Sequence, residues 1–231
     1  QYYSEDLLGV YYVFSNIIMT FRLIQNAFVS LLIPNYVKYI RNSEFDRLKK
    51  EICDYELYML IFSGILIISA FIAGKTAISF LFGNYYLDQG LWFFYLSIIK
   101  TISWGLFSPY ISLINSIEHK KSILICSLLV LLFSILSWYF LIPIYNILGI
   151  SLGLWISYIP RAIYIRLILV KTYDIGKFNK KSFEILIITV ILSIIAYFVE
   201  PIFNMNIIVI ILMSMSFIFV FLGLLFIFKI I

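Results

Sequence analysis

Residues 122–141, SILICSLLVLLFSILSWYFL, contain no charged side chain and follow directly after Lys120 and Lys121. A helix needs roughly 20 mostly apolar residues to cross the hydrocarbon core of a bilayer, and this stretch has that length. The rest of the chain has the same character, because 63% of its 231 residues are hydrophobic and 13% are charged. Soluble domains average about 45–50% apolar residues. The composition therefore predicts an integral membrane protein.

Apolar stretches of similar length lie on both sides of this one. The predicted spans are residues 7–33, 55–73, 91–114, 122–141, 150–170, 185–199 and 207–228. The sixth is short, and we expect it to include Phe183 and Glu184 at its edge. We therefore predict an all-α integral membrane fold of about seven transmembrane helices, forming one membrane domain over residues 1–231.

Basic residues fall in alternate loops between the predicted spans. Twelve Lys and Arg residues lie in 34–54, 115–121, 171–184 and at Lys229, whereas 1–6, 83–89, 142–149 and 200–206 contain none. Loops rich in Lys and Arg remain on the cytoplasmic side of a membrane. The pattern predicts an extracytoplasmic N-terminus and a cytoplasmic C-terminus. It also accounts for the formal net charge of +5, so we predict no nucleic-acid partner.

The predicted orientation bears on how the chain begins. The sequence starts at Gln1 rather than Met, with no signal peptide that would place this end outside. An odd number of earlier helices would do so. We therefore interpret the chain as the C-terminal part of a larger protein, and we expect its missing N-terminal helices to be a partner of this bundle.

The largest basic loop contains an amphipathic segment at residues 43–54. Ser43 followed by Asp46 resembles a capping box, which predicts a helix start. The predicted ion pairs are Asp46–Lys50 and Arg47–Glu51, and the predicted apolar face consists of Phe45, Leu48 and Ile52. We expect a cytoplasmic interfacial helix that leads into the second span and contacts the anionic head groups of membrane lipids.

Three cationic side chains, Arg22, Lys100 and Arg161, lie near the centres of predicted spans, where a charge is costly. Each belongs to a polar stripe with helical spacing. The stripes are Tyr12, Ser15, Met19, Arg22, Asn26 and Ser30; Ser97, Lys100, Trp104, Ser108, Ser112 and Asn115; and Tyr158, Arg161 and Tyr164. Such stripes face a protein interior or a water-filled cavity.

No predicted span has Asp or Glu near its centre, so the three cations need anionic partners from elsewhere. Two sources remain open: a negatively charged substrate in a central cavity, or the missing helices. Pro160 is expected to kink the fifth span beside Arg161. We expect Arg166, nearer the cytoplasmic end, to snorkel towards the interface.

No catalytic motif, metal-ligand spacing or cofactor-binding loop occurs in the sequence. We therefore predict no catalytic residues, no metal and no cofactor. His119 lies among charged residues in a short loop, where a solvated surface position is expected. Cys53 and Cys126 are not placed for an extracytoplasmic disulfide, and we expect inert thiols.

Several short features recur in a known order along the chain. They are Gly9 with Tyr11 at the start of a span that ends at Pro34, Leu81-Phe82-Gly83 followed by Tyr85 and Tyr86, and Ile142-Pro143 followed by Asn146 and Gly149. In this order and spacing the chain resembles the C-terminal portion of polysaccharide flippases. These are the O-antigen and capsule repeat-unit translocases of the multidrug/oligosaccharidyl-lipid/polysaccharide exporter superfamily.

The resemblance implies a MATE-like transporter of about 14 helices in two bundles, of which this chain would be the second. It implies a substrate such as an undecaprenyl diphosphate-linked oligosaccharide, an O-antigen or capsule unit. That substrate would be moved across the bacterial cytoplasmic (inner) membrane by alternating access, without enzymatic activity. The substrate-binding residues would be Arg22, Asn26, Lys100, Tyr158 and Arg161, which would meet the diphosphate or acidic sugars.

Three other functions remain open. A multidrug-type exporter of the same superfamily would need buried carboxylates for cationic drugs, which these spans lack. A membrane-embedded polysaccharide polymerase or transferase typically carries a long outer loop, whereas the outer loops here are under about ten residues. A purely structural membrane subunit is disfavoured by the cost of charges at the membrane centre.

Overall fold

The computed structural model describes residues 5–117, 119–177, 179–199 and 207–230. It contains seven helices: α1 (Glu5–Arg41), α2 (Phe45–Phe82), α3 (Asn84–Ser116), α4 (Lys120–Tyr145), α5 (Ile147–Tyr173), α6 (Lys180–Val199) and α7 (Ile207–Ile227). By length and composition, all seven can cross a membrane. The described residues form no strand. The prediction of an all-α, multi-pass membrane bundle is confirmed.

Six of the seven helices are longer than the predicted spans, and α7 ends one residue earlier than predicted. α1 continues through Pro34 to Arg41, although the sequence predicts its end near residue 33. The extra turns are held because Tyr36 is fully buried in an apolar cluster with α2, α3 and α5. α2 likewise continues through Gly74 and Lys75 without a break.

Segment 43–54 differs from its prediction. α2 begins at Phe45, so residues 45–54 form the first turns of α2 and not a separate helix that leads into it. Ser43 has a left-handed φ of 56°, and Glu44 precedes the helix without a side-chain cap bond. The predicted capping box is therefore wrong. Arg47 forms its ion pair with Glu44, 2.6 Å away, rather than with the predicted partner one turn later.

The apolar side of this segment faces protein rather than lipid. Leu48 and Ile52 are buried, in a cluster that includes residues of α1, α3 and α5. Phe45 remains 37% exposed, with its ring 5.6 Å from that of Tyr173. Burial of these apolar side chains against three helices is favourable, which explains why the segment forms part of α2.

α2 and α3 form the centre of the bundle. α3 packs against α1 and α5, α2 packs against α6 and α7, and α4 packs on α5. Leu60, Ile68 and Phe221 belong to an apolar cluster between α2, α6 and α7. Phe14 and Phe94 belong to a second cluster between α1, α2 and α3. The wall formed by α1, α3 and α5 is therefore supported by two further helices, because α2 packs against α3 and α4 packs against α5.

The α4–α5 pair packs closely through two glycines. A methyl group added to Gly153 would lie 2.5 Å from Trp138 Cδ1, and one added to Gly149 would overlap the carbonyl of Leu141. The G-x-x-x-G pair therefore serves close helix packing, as the sequence predicts.

α1, α3 and α5 run in the same direction, because the chain reverses at each short connection between successive helices. Their C-terminal ends lie where the basic connections α1–α2, α3–α4 and α5–α6 are found. We call this the basic-loop end of the bundle. A higher residue number in any of these three helices thus means a position nearer the basic-loop end.

Candidate functional site

A cavity of about 260 Å³ lies between α1, α3 and α5, and we call it the first cavity. Its lining residues are Arg22, Asn26, Val29, Ser103, Trp104, Phe107, Ser108, Ile111, Ser112, Asn115, Tyr158, Arg161 and Ala162. The spacing of three and four residues within each helix places these side chains on one face, towards the cavity. The lining combines two guanidinium groups with hydroxyl and amide groups.

A second cavity, of about 180 Å³, lies between the same three helices. Its lining residues are Tyr11, Ser15, Ile18, Met19, Arg22, Gln25, Phe93, Ser97, Lys100, Thr101, Trp104, Ser151 and Leu154. Arg22 and Trp104 therefore line both cavities. Neither lining contains Asp or Glu.

The structure brings the five predicted substrate-binding residues to this one wall. Arg22, Asn26, Tyr158 and Arg161 line the first cavity, and Lys100 lines the second. Their role in binding stays a prediction. The sequence does not indicate that Lys100 lies in a separate cavity, because that depends on where the Trp104 ring packs.

Arg22 is stacked on Trp104. The guanidinium carbon lies 3.9 Å from the ring centroid, which is a close cation–π contact. The ring of Tyr158 approaches the same indole from α5, with a centroid distance of 6.2 Å and an interplanar angle of 64°. Trp104 of α3 thereby contacts both α1, through Arg22, and α5, through Tyr158, at the boundary of the two cavities.

The three cations of the cavities lack anionic partners among the described residues. The side chains of Arg22, Lys100 and Arg161 form no hydrogen bond and no ion pair there, and the contact of Lys100 with Ser103 is through its backbone carbonyl. The Nε atom of Arg161 is buried and has no acceptor there. All three side chains are partly buried, and each cavity is lined by two of them. A cation removed from water without a partner is unfavourable, so the two cavities favour an anionic ligand.

Arg166, one turn of α5 beyond Arg161, is in a contrasting environment. Its Nη2 lies 3.1 Å from Glu56 Oε2 and donates to the Leu106 carbonyl at 3.0 Å, while Nη1 donates to the Gly176 carbonyl at 3.2 Å. Its side chain is 6% exposed. The prediction that Arg166 snorkels is wrong, because Glu56 supplies a buried counter-charge from α2.

Glu56, near the start of the second predicted span, lines neither cavity but is buried beside the first through Arg166. Its Oε2 accepts a short hydrogen bond from the hydroxyl of Tyr110 as well as the Arg166 contact. The sequence feature that could have indicated this ion pair is the presence of an acidic residue in the second span and a basic residue in the fifth, near the same end of both spans. Residues 56 and 166 are far apart in sequence, so spacing alone does not pair them.

No group of three or more His, Cys, Asp or Glu side chains that could hold a metal ion occurs in the part of the chain that the structure describes. Cys53 is partly buried and Cys126 is buried, and both are free thiols. No protein-family model, curated protein or solved structure matches this chain.

Proposed function

We propose that this chain belongs to a transporter that moves an anionic, lipid-linked oligosaccharide across the bacterial cytoplasmic membrane. The observation that carries the proposal is the set of three cations, Arg22, Lys100 and Arg161, which line the cavities without acidic partners among the described residues. An isolated cation at membrane depth costs roughly 2.5–3.5 kcal/mol on insertion scales. An anionic substrate group would remove that cost.

The chemistry of the lining suits a phosphate-bearing substrate, such as an undecaprenyl diphosphate-linked O-antigen or capsule unit. Guanidinium groups bind phosphate oxygens through paired N–H donors, and the Lys100 ammonium adds a point charge. Asn26 and Tyr158 offer further donors in the first cavity. Aromatic side chains such as Trp104 offer an apolar face for the adjoining sugar ring.

Alternating access would move this site between the two sides of the membrane. In the proposed orientation the basic-loop end is cytoplasmic and the N-terminus is extracytoplasmic. The first cavity would then face the leaflet in which the lipid-linked unit is made. Rocking of the α1–α3–α5 wall against further helices of the transporter would open the site to the other side.

A multidrug-type exporter is less well supported, because cationic drugs require carboxylates and neither cavity lining has one. A membrane polymerase or transferase is also less well supported. The connection between α2 and α3 is Gly83 alone, and that between α4 and α5 is Asn146 alone, which leaves no loop there to carry reactive side chains. Residues 200–206 lie outside the described residues.

The proposal can be tested by complementation. The full-length protein would be expressed in a strain that lacks its own O-antigen translocase, and surface polysaccharide and membrane abundance would be measured together. Arg22→Ala, Lys100→Ala and Arg161→Ala should each lower surface polysaccharide at normal abundance. Arg41→Ala is the matched control, since Arg41 is exposed at the end of α1 and outside both cavities.

Two results would count against the proposal. Full activity of all three variants would make the cations structural partners of other helices. Failure of the unmutated protein to complement at normal abundance, combined with equal thermal stabilisation of the purified protein by farnesyl diphosphate and farnesol, would exclude a diphosphate-bearing lipid as the substrate class.

A further inference from the structure

We infer that the wall of α1, α3 and α5 holds two successive binding stations for the diphosphate group, and that Arg22 belongs to both. The group would bind first between Arg161 and Arg22 and then between Arg22 and Lys100. The inference rests on the proposed function and adds the order of events within the site. Its geometric basis is the division of one cationic wall into two cavities that share a single cation.

The two cavities follow one another along the direction of the three helices. The second cavity is lined by residues 11–25 of α1, 93–104 of α3 and 151–154 of α5. The first cavity is lined by 22–29, 103–115 and 158–162 of the same helices. Because the three helices run in the same direction, the first cavity is nearer the basic-loop end on every helix.

The separation of the cavities is a third to a half of the hydrocarbon thickness. The midpoints of the two lining segments are about ten residues apart on α3 and about seven to eight on α1 and α5, which at the helical rise per residue is on the order of 11–16 Å. The hydrocarbon core is about 30 Å thick. A group that passes from one cavity to the other therefore covers about a third to a half of that thickness.

Each cavity suits a head group and not a whole lipid-linked oligosaccharide. Their volumes of about 260 and 180 Å³ are below the roughly 300–1,000 Å³ typical of pockets for drug-sized ligands. Each has one cation of its own, Arg161 or Lys100, together with serine hydroxyls. The sugars and the lipid chain would extend through the open sides of the cavities.

Arg22 forms the boundary because its guanidinium is held over the Trp104 ring, 3.9 Å from the centroid. A guanidinium group has five N–H donors in a fixed plane, so it can present donors to both sides at once. A diphosphate that leaves Arg161 would still be bound to Arg22 when it meets Lys100. The anion would thus never be without a cation in a medium of low dielectric constant.

The test uses thiol protection in the full-length protein. Cys53→Ser and Cys126→Ala remove the thiols of this chain, and any other cysteine of the full-length protein is replaced by serine. Single reporters are then placed in each cavity. Ser15→Cys reports on the second cavity and Ser112→Cys on the first. Thr172→Cys, at the exposed end of α5, is the reporter outside both. Modification by an anionic methanethiosulfonate is timed with and without inorganic pyrophosphate or farnesyl diphosphate.

Two stations predict a specific pattern. Farnesyl diphosphate should slow modification at least fivefold at both cavity reporters and leave Thr172→Cys unchanged. Lys100→Ala should abolish protection of the second-cavity reporter Ser15→Cys only. Arg161→Ala should abolish protection of the first-cavity reporter Ser112→Cys only. Arg22→Ala should weaken the protection of both reporters. Protection is a rate ratio within each variant, so a lower local charge does not itself change it. Lys100→Gln and Arg161→Gln replace any alanine variant that does not fold.

The other outcomes separate this inference from the proposed function. If Lys100→Ala and Arg161→Ala each abolish protection at both reporters, the wall is one continuous site and the two-station inference is overturned while the function stands. If neither probe protects either reporter, both are overturned. Protection by pyrophosphate at the same concentration as farnesyl diphosphate would support two stations and contradict a lipid-linked substrate.

Discussion

Arg166 Nη2 lies 3.1 Å from Glu56 Oε2, and the two side chains are only 6% and 1% exposed. This ion pair joins α5 to α2, and the Leu106 carbonyl of α3 accepts a further hydrogen bond from the same nitrogen. Phe107, the next residue, lines the first cavity. The pair therefore holds three helices together beside the first cavity.

Removal of one partner of this pair should be strongly destabilising. Arg166→Met leaves the Glu56 carboxylate buried without its counter-charge, which typically costs about 3–5 kcal/mol. We expect a clear fall in the thermal unfolding midpoint of the purified protein in detergent. Replacement of both residues, Glu56→Gln with Arg166→Met, should recover a large part of the loss.

The exposed pair Lys177–Asp174 gives the matched control for that experiment. Surface pairs contribute only about 0–1 kcal/mol, so Lys177→Ala should change the midpoint little. A double variant that is less stable than Arg166→Met alone would show that the buried pair does not act as a unit.

A methyl group at Gly149 should disrupt the packing of α5 on α4. The added carbon would meet the Leu141 backbone, which cannot rotate away as a side chain can. Overpacking of this kind costs typically about 1–3 kcal/mol. We expect Gly149→Ala to lower the unfolding midpoint, whereas Gly223→Ala, where an added carbon meets nothing within 4 Å, should not lower it. Equal midpoints for the two variants would contradict close packing at this position.

Asp174 should make stability depend on pH at the basic-loop end. Hydrogen bonds from Lys177 and then Lys49 lower the pKa of its carboxyl below the usual value of 3.8. A lowered folded-state pKa gives stability that is present above the unfolded-state pKa and is lost as pH falls through the folded-state pKa. Asp174→Asn should therefore lower the unfolding midpoint only slightly at pH 7, because both of its contacts are solvent-exposed, and should have no effect in strong acid.

Asparagine tolerates the left-handed backbone of position 174, where φ is 54°, so the variant removes the charge without straining the turn. Asp46→Asn, on the same end of the bundle and outside this contact, is the control. A midpoint difference between Asp174→Asn and the parent that persists unchanged into strong acid would contradict the electrostatic explanation.

The sequence predicts most of the fold because the main determinant is local. The length and hydropathy of each apolar stretch establish the seven helices, and helical spacing places Arg22, Asn26 and Arg161 on the faces that line the first cavity. Helix ends are predicted less well. Pro34 is a reasonable stop signal by itself, but burial of Tyr36 two residues later holds the helix together.

Features that depend on tertiary contacts could not be predicted in the same way. The partner of Arg166 is set by the packing of α5 on α3 and α2, and no spacing rule relates it to Glu56. The division into two cavities likewise depends on one side chain, Trp104, which brings α1 and α5 into contact across α3. Polarity indicates which residues face inwards, whereas packing decides which of them share a cavity.

Transport should require Trp104, because its ring positions the guanidinium of Arg22. Trp104→Leu removes the face on which the guanidinium rests and the contact with the Tyr158 ring. Arg22 is partly buried, and cation–π contacts contribute about 0.5–1 kcal/mol at exposed sites and about 2 kcal/mol when desolvated, which corresponds to a roughly 2- to 30-fold loss of activity. Trp104→Phe retains an aromatic face and should lose less activity.

Trp92→Leu, on the same helix but 57% exposed and outside both cavities, should keep full activity. Surface polysaccharide per unit of membrane protein is the measurement, and equal activity of Trp104→Leu and Trp92→Leu would show that Arg22 does not need the indole to act.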